Sequence, residues 1–129
     1  MAINSRTKGA VGERELALLL RTAGYANARR SAQYCGNTGE APDITGIDGL
    51  HIECKRREQI QDEVFLQQAE REAKKGLVPL VAYRRSREKW KVCTRLDLFL
   101  LIWGELTDLQ KRNIEDKVKF MRNKDKIGK

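Results

Sequence analysis

From Gly9 to Ala23 the apolar residues Leu16, Leu19, Leu20 and Ala23 return at helical spacing, and Gly24 supplies a stop, so this stretch is expected to form an amphipathic helix. A short strand over Tyr25 to Arg30 follows. The polar stretch Ser31 to Pro42 comes next, a loop long enough to suggest a functional role. Beyond it, Asp43 to Lys55 alternates apolar and polar positions like a hairpin, and a helix is expected from Asp62 to Lys75, stopping at Gly76. Leu77 to Tyr83 reads as a buried strand, with Lys89 to Thr94 as its neighbour across the turn RRSRE. Two helices close the chain, and Thr107 and Gln110 form a capping box at the start of the second. The order helix, two or three strands, helix, two strands, helices predicts an α/β fold with a central mixed β-sheet flanked by helices.

The hairpin pattern also fixes which residues face one another. Asp48-Gly49 invites a two-residue turn, but that register leaves both faces of the hairpin mixed. A three-residue loop, Ile47-Asp48-Gly49, with Gly49 left-handed, shifts the pairing by one. One face then carries Ile44, Gly46, Leu50, Ile52 and Cys54, and the other carries Asp43, Thr45, His51, Glu53 and Lys55. Asp43 lies opposite Glu53, with Cβ atoms about 4.5 to 5.5 Å apart. Two ionised carboxylates that close repel, so either a salt bridge from Lys55 on a solvated face or a divalent cation is needed to account for them. In the first helix, at about 100° per residue, Glu13 borders the apolar stripe while Arg14 and Glu15 point away. A lone histidine at a strand start, His51 is assigned to the surface, and Trp90 and Trp103 to packing.

Composition narrows the function class. The 129 residues suit one compact domain, residues 1–129, in which about 96–129 form a helical C-terminal extension with a basic tail. The 26 Lys and Arg against 18 Asp and Glu leave a formal charge of +8, which favours a polyanion such as nucleic acid. No apolar run approaches the roughly 20 residues that span a bilayer, and the N-terminus lacks the apolar centre of a signal peptide, so a soluble, intracellular, cytoplasmic protein is expected with no membrane partner. Cys35, Cys54 and Cys93 are too scattered for a zinc site or a disulfide framework. Gly36-Asn37-Thr38-Gly39 lacks the ending of a phosphate loop, and no nucleophile elbow is present.

Pro42-Asp43 followed by Glu53-Cys54-Lys55, with nine residues between the acids, resembles the signature of the PD-(D/E)xK nuclease superfamily. The opening Lys8 to Ser31 is similar to the first helix and strand of archaeal-type Holliday-junction resolvases. The likeness continues through Gln68-Ala69-Glu70 and the strands LVPLVAYRR and KWKVCT. The resemblance implies a restriction-endonuclease-like core, Mg²⁺ as cofactor with Mn²⁺ also supporting activity, and hydrolysis of phosphodiesters in four-way junctions. By position it implies Glu13, Asp43 and Glu53 as metal ligands and Lys55 as catalytic lysine, with Ser31 and Gln68 beside the site. It further implies a homodimer acting on branched DNA.

Clustered basic residues at Arg29, Arg30, Arg84, Arg85 and Arg87 offer contacts to a DNA backbone. Two alternatives stay open: another PD-(D/E)xK nuclease that cuts flaps or duplex, and an inert DNA-binding protein of the same fold. Retention of the clustered carboxylates argues against the inert form.

Overall fold

The computed structural model describes residues 5–31 and 41–127, so most of the expected loop, including Gly36-Asn37-Thr38-Gly39 and Cys35, lies outside the described residues. The chain divides into two compact units, Met1–Thr94 and Arg95–Lys129.

The first unit opens with α1 (Ser5–Thr22), then β1 (Arg29–Arg30), β2 (Ile44–Thr45), β3 (Leu50–Arg56), α2 (Asp62–Glu72), β4 (Val78–Arg84) and β5 (Lys91–Cys93). The five strands lie in sequence order in one sheet, antiparallel except for the parallel pair β3 and β4. That parallel pair requires a crossover, and α2 provides it. The mixed sheet between helices is therefore as the apolar pattern predicts.

Register follows polarity. Ile44 pairs with Ile52, so the turn spans three residues, and Gly49 is left-handed with φ 87°. Gly46, at φ 93°, passes so close to the chain at Asn27 that a Cβ there would collide with the Asn27 carbonyl. Alternation along β3 then feeds two cores. Ile52 and Cys54 join Leu16 and Ala17 of α1, with Ile44 and Ala82, on one face of the sheet. On the other, Val81 packs beneath Phe65, Leu66 and Ala69 of α2. Buried aliphatic side chains of this size each contribute about 1.5 to 3 kcal/mol.

Two elements are shorter than the pattern suggests. The expected strand from Tyr25 is reduced to Arg29–Arg30, because the amide of Tyr25 bonds back to the Leu20 carbonyl and Ala28 to Tyr25, which makes a turn of the intervening residues. Helix α2 ends at Glu72 rather than Lys75. Ala73 is already extended, with ψ 130°, and the chain needs Lys74 to Leu77 to turn into β4.

The second unit contains α3 (Leu96–Gly104) and α4 (Asp108–Ile127). The capping box forms in both directions: the Thr107 amide donates to Gln110 Oε1 at 2.8 Å and the Gln110 amide to Thr107 Oγ1 at 3.1 Å. No helix among the described residues is long and apolar enough to cross a membrane.

Candidate active site

Asp43 and Glu53 come together because the three-residue turn sets them opposite each other, one residue beyond the Ile44–Ile52 pair. The Cys54 amide donates to Asp43 Oδ2 at 2.8 Å and fixes that carboxylate against β3. Burial pushes the Asp43 carboxyl up to about 7, and the neighbouring Glu53 charge adds to the rise. Glu53 is 2% exposed, and its carboxyl is likewise raised to about 7, by burial first and then by the Glu72 carboxylate. Among the described residues no cationic side chain bonds to either acid. A half-buried and a buried carboxyl that resist ionising together fit a divalent cation, which would neutralise both and let both ligate.

Lys55 projects from the same side of β3, where its Nζ donates to Gln68 Oε1 at 3.0 Å and lies 5.4 Å from the centre of the Phe65 ring. It stands in a cleft of about 470 Å³ that Glu13, Asp43, Arg56, Arg57 and Glu58 also line. Helix α1 comes close enough to deliver Glu13 to that cleft because Gly12 faces Arg56; a Cβ at Gly12 would lie 2.8 Å from the Cβ of Arg56. Glu13 is held by Arg30, whose Nε donates to Oε2 at 2.8 Å, and burial raises its carboxyl despite that partner. The structure thus brings Glu13, Asp43 and Lys55 to one cleft with Glu53 directly behind. It does not gather Glu13, Asp43 and Glu53 into one tight three-carboxylate cluster, since Arg30 draws Glu13 to itself. Ser31 is tied to the site through its backbone, its amide donating to the Asp43 carbonyl at 3.1 Å.

A family model described as "Phage putative PDDEXK endonuclease" matches residues 4–126. The chain belongs to this PDDEXK endonuclease family. Its α/β architecture is accordingly the restriction-endonuclease-like one, and nucleases of this family depend on divalent metal. The chain is also similar to a solved structure of Hjc from Archaeoglobus fulgidus, a Holliday junction resolvase from an archaeal hyperthermophile. That likeness has 30% identity over 67% of this chain and 76% of that one, with a TM-score of 0.48. No curated protein matches the chain.

The remaining arginines of this endonuclease are placed unequally. Arg29 is exposed on β1, and Arg87 is exposed in the turn after β4 with φ 66°. Arg85 is half-buried, and its Nε donates to the Glu58 carbonyl at 3.0 Å. Arg84 is turned inward, against the expectation of a DNA contact. Its Nε and Nη2 each donate to Glu15 at 2.8 Å, and its guanidinium lies over the Trp90 ring.

Three features escape the sequence pattern. Glu15, expected to point away, accepts from both Arg84 and Trp90, because β4 and the approach to β5 reach across to α1. His51, expected on the surface, is wholly buried, with Nε2 2.8 Å from Glu53 Oε1, because α2 covers the polar face of β3. Glu72, at the end of α2, accepts from Gln68 Nε2 at 3.3 Å. The signal for Glu72 was its position four residues after Gln68, on the same helical face.

Proposed function

We propose that this endonuclease is an endodeoxyribonuclease that hydrolyses phosphodiesters in branched DNA, four-way junctions above all, with Mg²⁺ as cofactor and Mn²⁺ as a substitute. Asp43 and Glu53 hold the metal, Glu13 stands at the rim, and Lys55 is the catalytic lysine. The observation that carries this reading is the Asp43–Glu53 pair, both carboxyls raised to about 7, with Asp43 lining the cleft that Lys55 enters. The preference for junctions rests on the sequence likeness of Lys8 to Ser31 to the archaeal-type resolvases, as does action as a homodimer.

When bound, the divalent cation supplies Lewis-acid polarisation of a phosphate oxygen and lowers the pKa of a water. The side chains account for the rest. Asp43, pinned by the Cys54 amide, and Glu53, buried behind it, present their charge in a fixed direction. Lys55, steadied by Gln68, sets an ammonium against the charge that grows on the phosphate in the transition state. Arg56 and Arg57 line the same cleft and add positive potential along the path of a DNA backbone. Arg29 and Arg87 extend that potential over the surface.

The test is cleavage of labelled junction, flap and linear DNA with and without Mg²⁺. The junction should be cut only with metal, and Asp43→Asn should bind it without cutting. Equal cutting of linear duplex would remove the junction preference and leave the nuclease. Undiminished cutting by Asp43→Asn, or cutting in chelator, would remove the assignment of the site.

A further inference from the structure

Behind the cleft, strand β3 and helix α2 supply a second set of donors, of which the proposed hydrolysis uses only Glu53. The His51 side chain is 1% exposed and that of Glu53 3%, with Nε2 and Oε1 2.8 Å apart. The other ring nitrogen, Nδ1, is buried without a hydrogen-bond partner. Glu72 reaches in from the last turn of α2, and one ligand atom each from His51, Glu53 and Glu72 lie within 4.8 Å of one another. A buried ring nitrogen left unsatisfied beside two carboxylates is a costly way to fill space, since buried polar groups are nearly always partnered. The set also has an approach of its own. A second cleft, of about 270 Å³, reaches His51 between the β2–β3 turn at Asp48 and the chain after α2 at Lys74 and Leu77.

We propose that His51, Glu53 and Glu72 form an additional cation site, distinct from the one at Asp43, that takes a first-row transition-metal dication such as Mn²⁺ in preference to Mg²⁺. An imidazole in the ligand set favours transition metals, whereas Mg²⁺ prefers oxygen donors and keeps its waters. With Glu53 ionised, His51 Nε2 donates to Glu53 Oε1 at 2.8 Å, which leaves the buried, unpartnered Nδ1 lone pair as the imidazole donor for a cation. Gln68 orients the third donor, giving its amide proton to Glu72 Oε1 while its own oxygen holds Lys55. Glu53 is common to both sites, so the inference deepens the metal-dependent reading of the cleft; His51 and Glu72 belong to this site alone.

The test is Mn²⁺ binding to the full chain, counted from the electron paramagnetic resonance of free Mn²⁺ with Mg²⁺ in large excess, and pulsed resonance of the bound ion. Wild-type protein should retain an Mn²⁺ under Mg²⁺ excess, with nitrogen coupling from an imidazole. His51→Gln should remove the coupling and weaken the retained ion by at least about tenfold, and Glu72→Gln should weaken it similarly while keeping the coupling. Asp43→Asn should leave the nitrogen-coupled ion in place whether or not it cuts DNA, which separates this site from the reading of the cleft. Circular dichroism checks that each variant is folded. Absence of a retained ion in the wild type, a retained ion without nitrogen coupling, or undiminished retention in folded His51→Gln would each overturn the proposal.

Discussion

Two groups of acids on the same small domain are treated in opposite ways. Glu15 on α1 receives the Arg84 guanidinium through two bonds of 2.8 Å and the Trp90 indole as a third, and the Arg84 hydrogen bond holds its carboxyl below the ordinary glutamate range. Asp43 and Glu53 receive each other, and both are pushed up to about 7. The first arrangement is complete within the protein: its charges cancel, and it ties α1 to the far strands. The second lacks a cation. That difference separates an acid that supports the fold from acids held ready for a ligand, and it does so without any appeal to the family.

The largest effect expected is on catalysis. Asp43→Asn or Glu53→Gln should lower cleavage by at least about 100-fold, while the melting temperature in chelator stays level or rises, because a repulsion has been removed. A loss of melting temperature in Asp43→Asn as large as that caused by a core cavity would make Asp43 a structural acid like Glu15 and end the contrast.

Next comes the register that creates the second group. Gly46→Ala would place a methyl into the Asn27 carbonyl at φ 93°, and should cost about 3 kcal/mol or more in denaturant unfolding, with cleavage falling in step. Wild-type stability in the Gly46→Ala variant would show that the β2–β3 turn is not held as described, and with it the Asp43–Glu53 pairing. On the other side, Glu15→Gln leaves the Arg84 guanidinium, 12% exposed, with a neutral partner, and should cost about 1 to 2 kcal/mol with little change in metal-dependent cleavage per folded molecule. Loss of cleavage in folded Glu15→Gln would show that the two groups are not independent.

The contrast was only half legible in the sequence. The pairing of Asp43 with Glu53 could be read from the chain, because a one-residue slip in a hairpin inverts every side chain, and only the three-residue turn sorts apolar from polar. Glu13 could be read too, since its angle to the Leu16 stripe is a local property of the helix. The identity of partners across the fold could not. Nothing in β3 announces that α2 will cover the face carrying His51 and Glu53, so a solvated face was the natural expectation where the structure has a buried one. Likewise Arg84 lies in a run of basic residues, and only the approach of β4 to α1 turns it from a DNA contact into the partner of Glu15. Strand lengths failed for a related reason: Tyr25 to Ala28 is consumed in closing the C-terminal end of α1.

The smallest effect expected is in the pH dependence of the unliganded protein, where the two groups should act with opposite sign. A carboxyl whose folded pKa is raised binds its proton more tightly in the folded state, so its contribution is present at low pH and lost as pH rises through the folded value. Asp43 and Glu53 should therefore make the chelated protein less stable as pH rises from about 4 to about 7. Glu15, whose folded pKa is lowered, contributes stability above the ordinary carboxylate range and loses it as pH falls below. Melting curves of wild type, Asp43→Asn and Glu15→Gln in chelator separate the two. Asp43→Asn should flatten the decline between pH 4 and 7, and Glu15→Gln should flatten only the acid limb. Saturating divalent cation should abolish the decline toward neutrality in the wild type, because the bound ion displaces the protons and takes over their role. A wild-type profile that the metal leaves unchanged would mean that Asp43 and Glu53 keep their protons in its presence, and that the cation the pair lacks is not a metal ion.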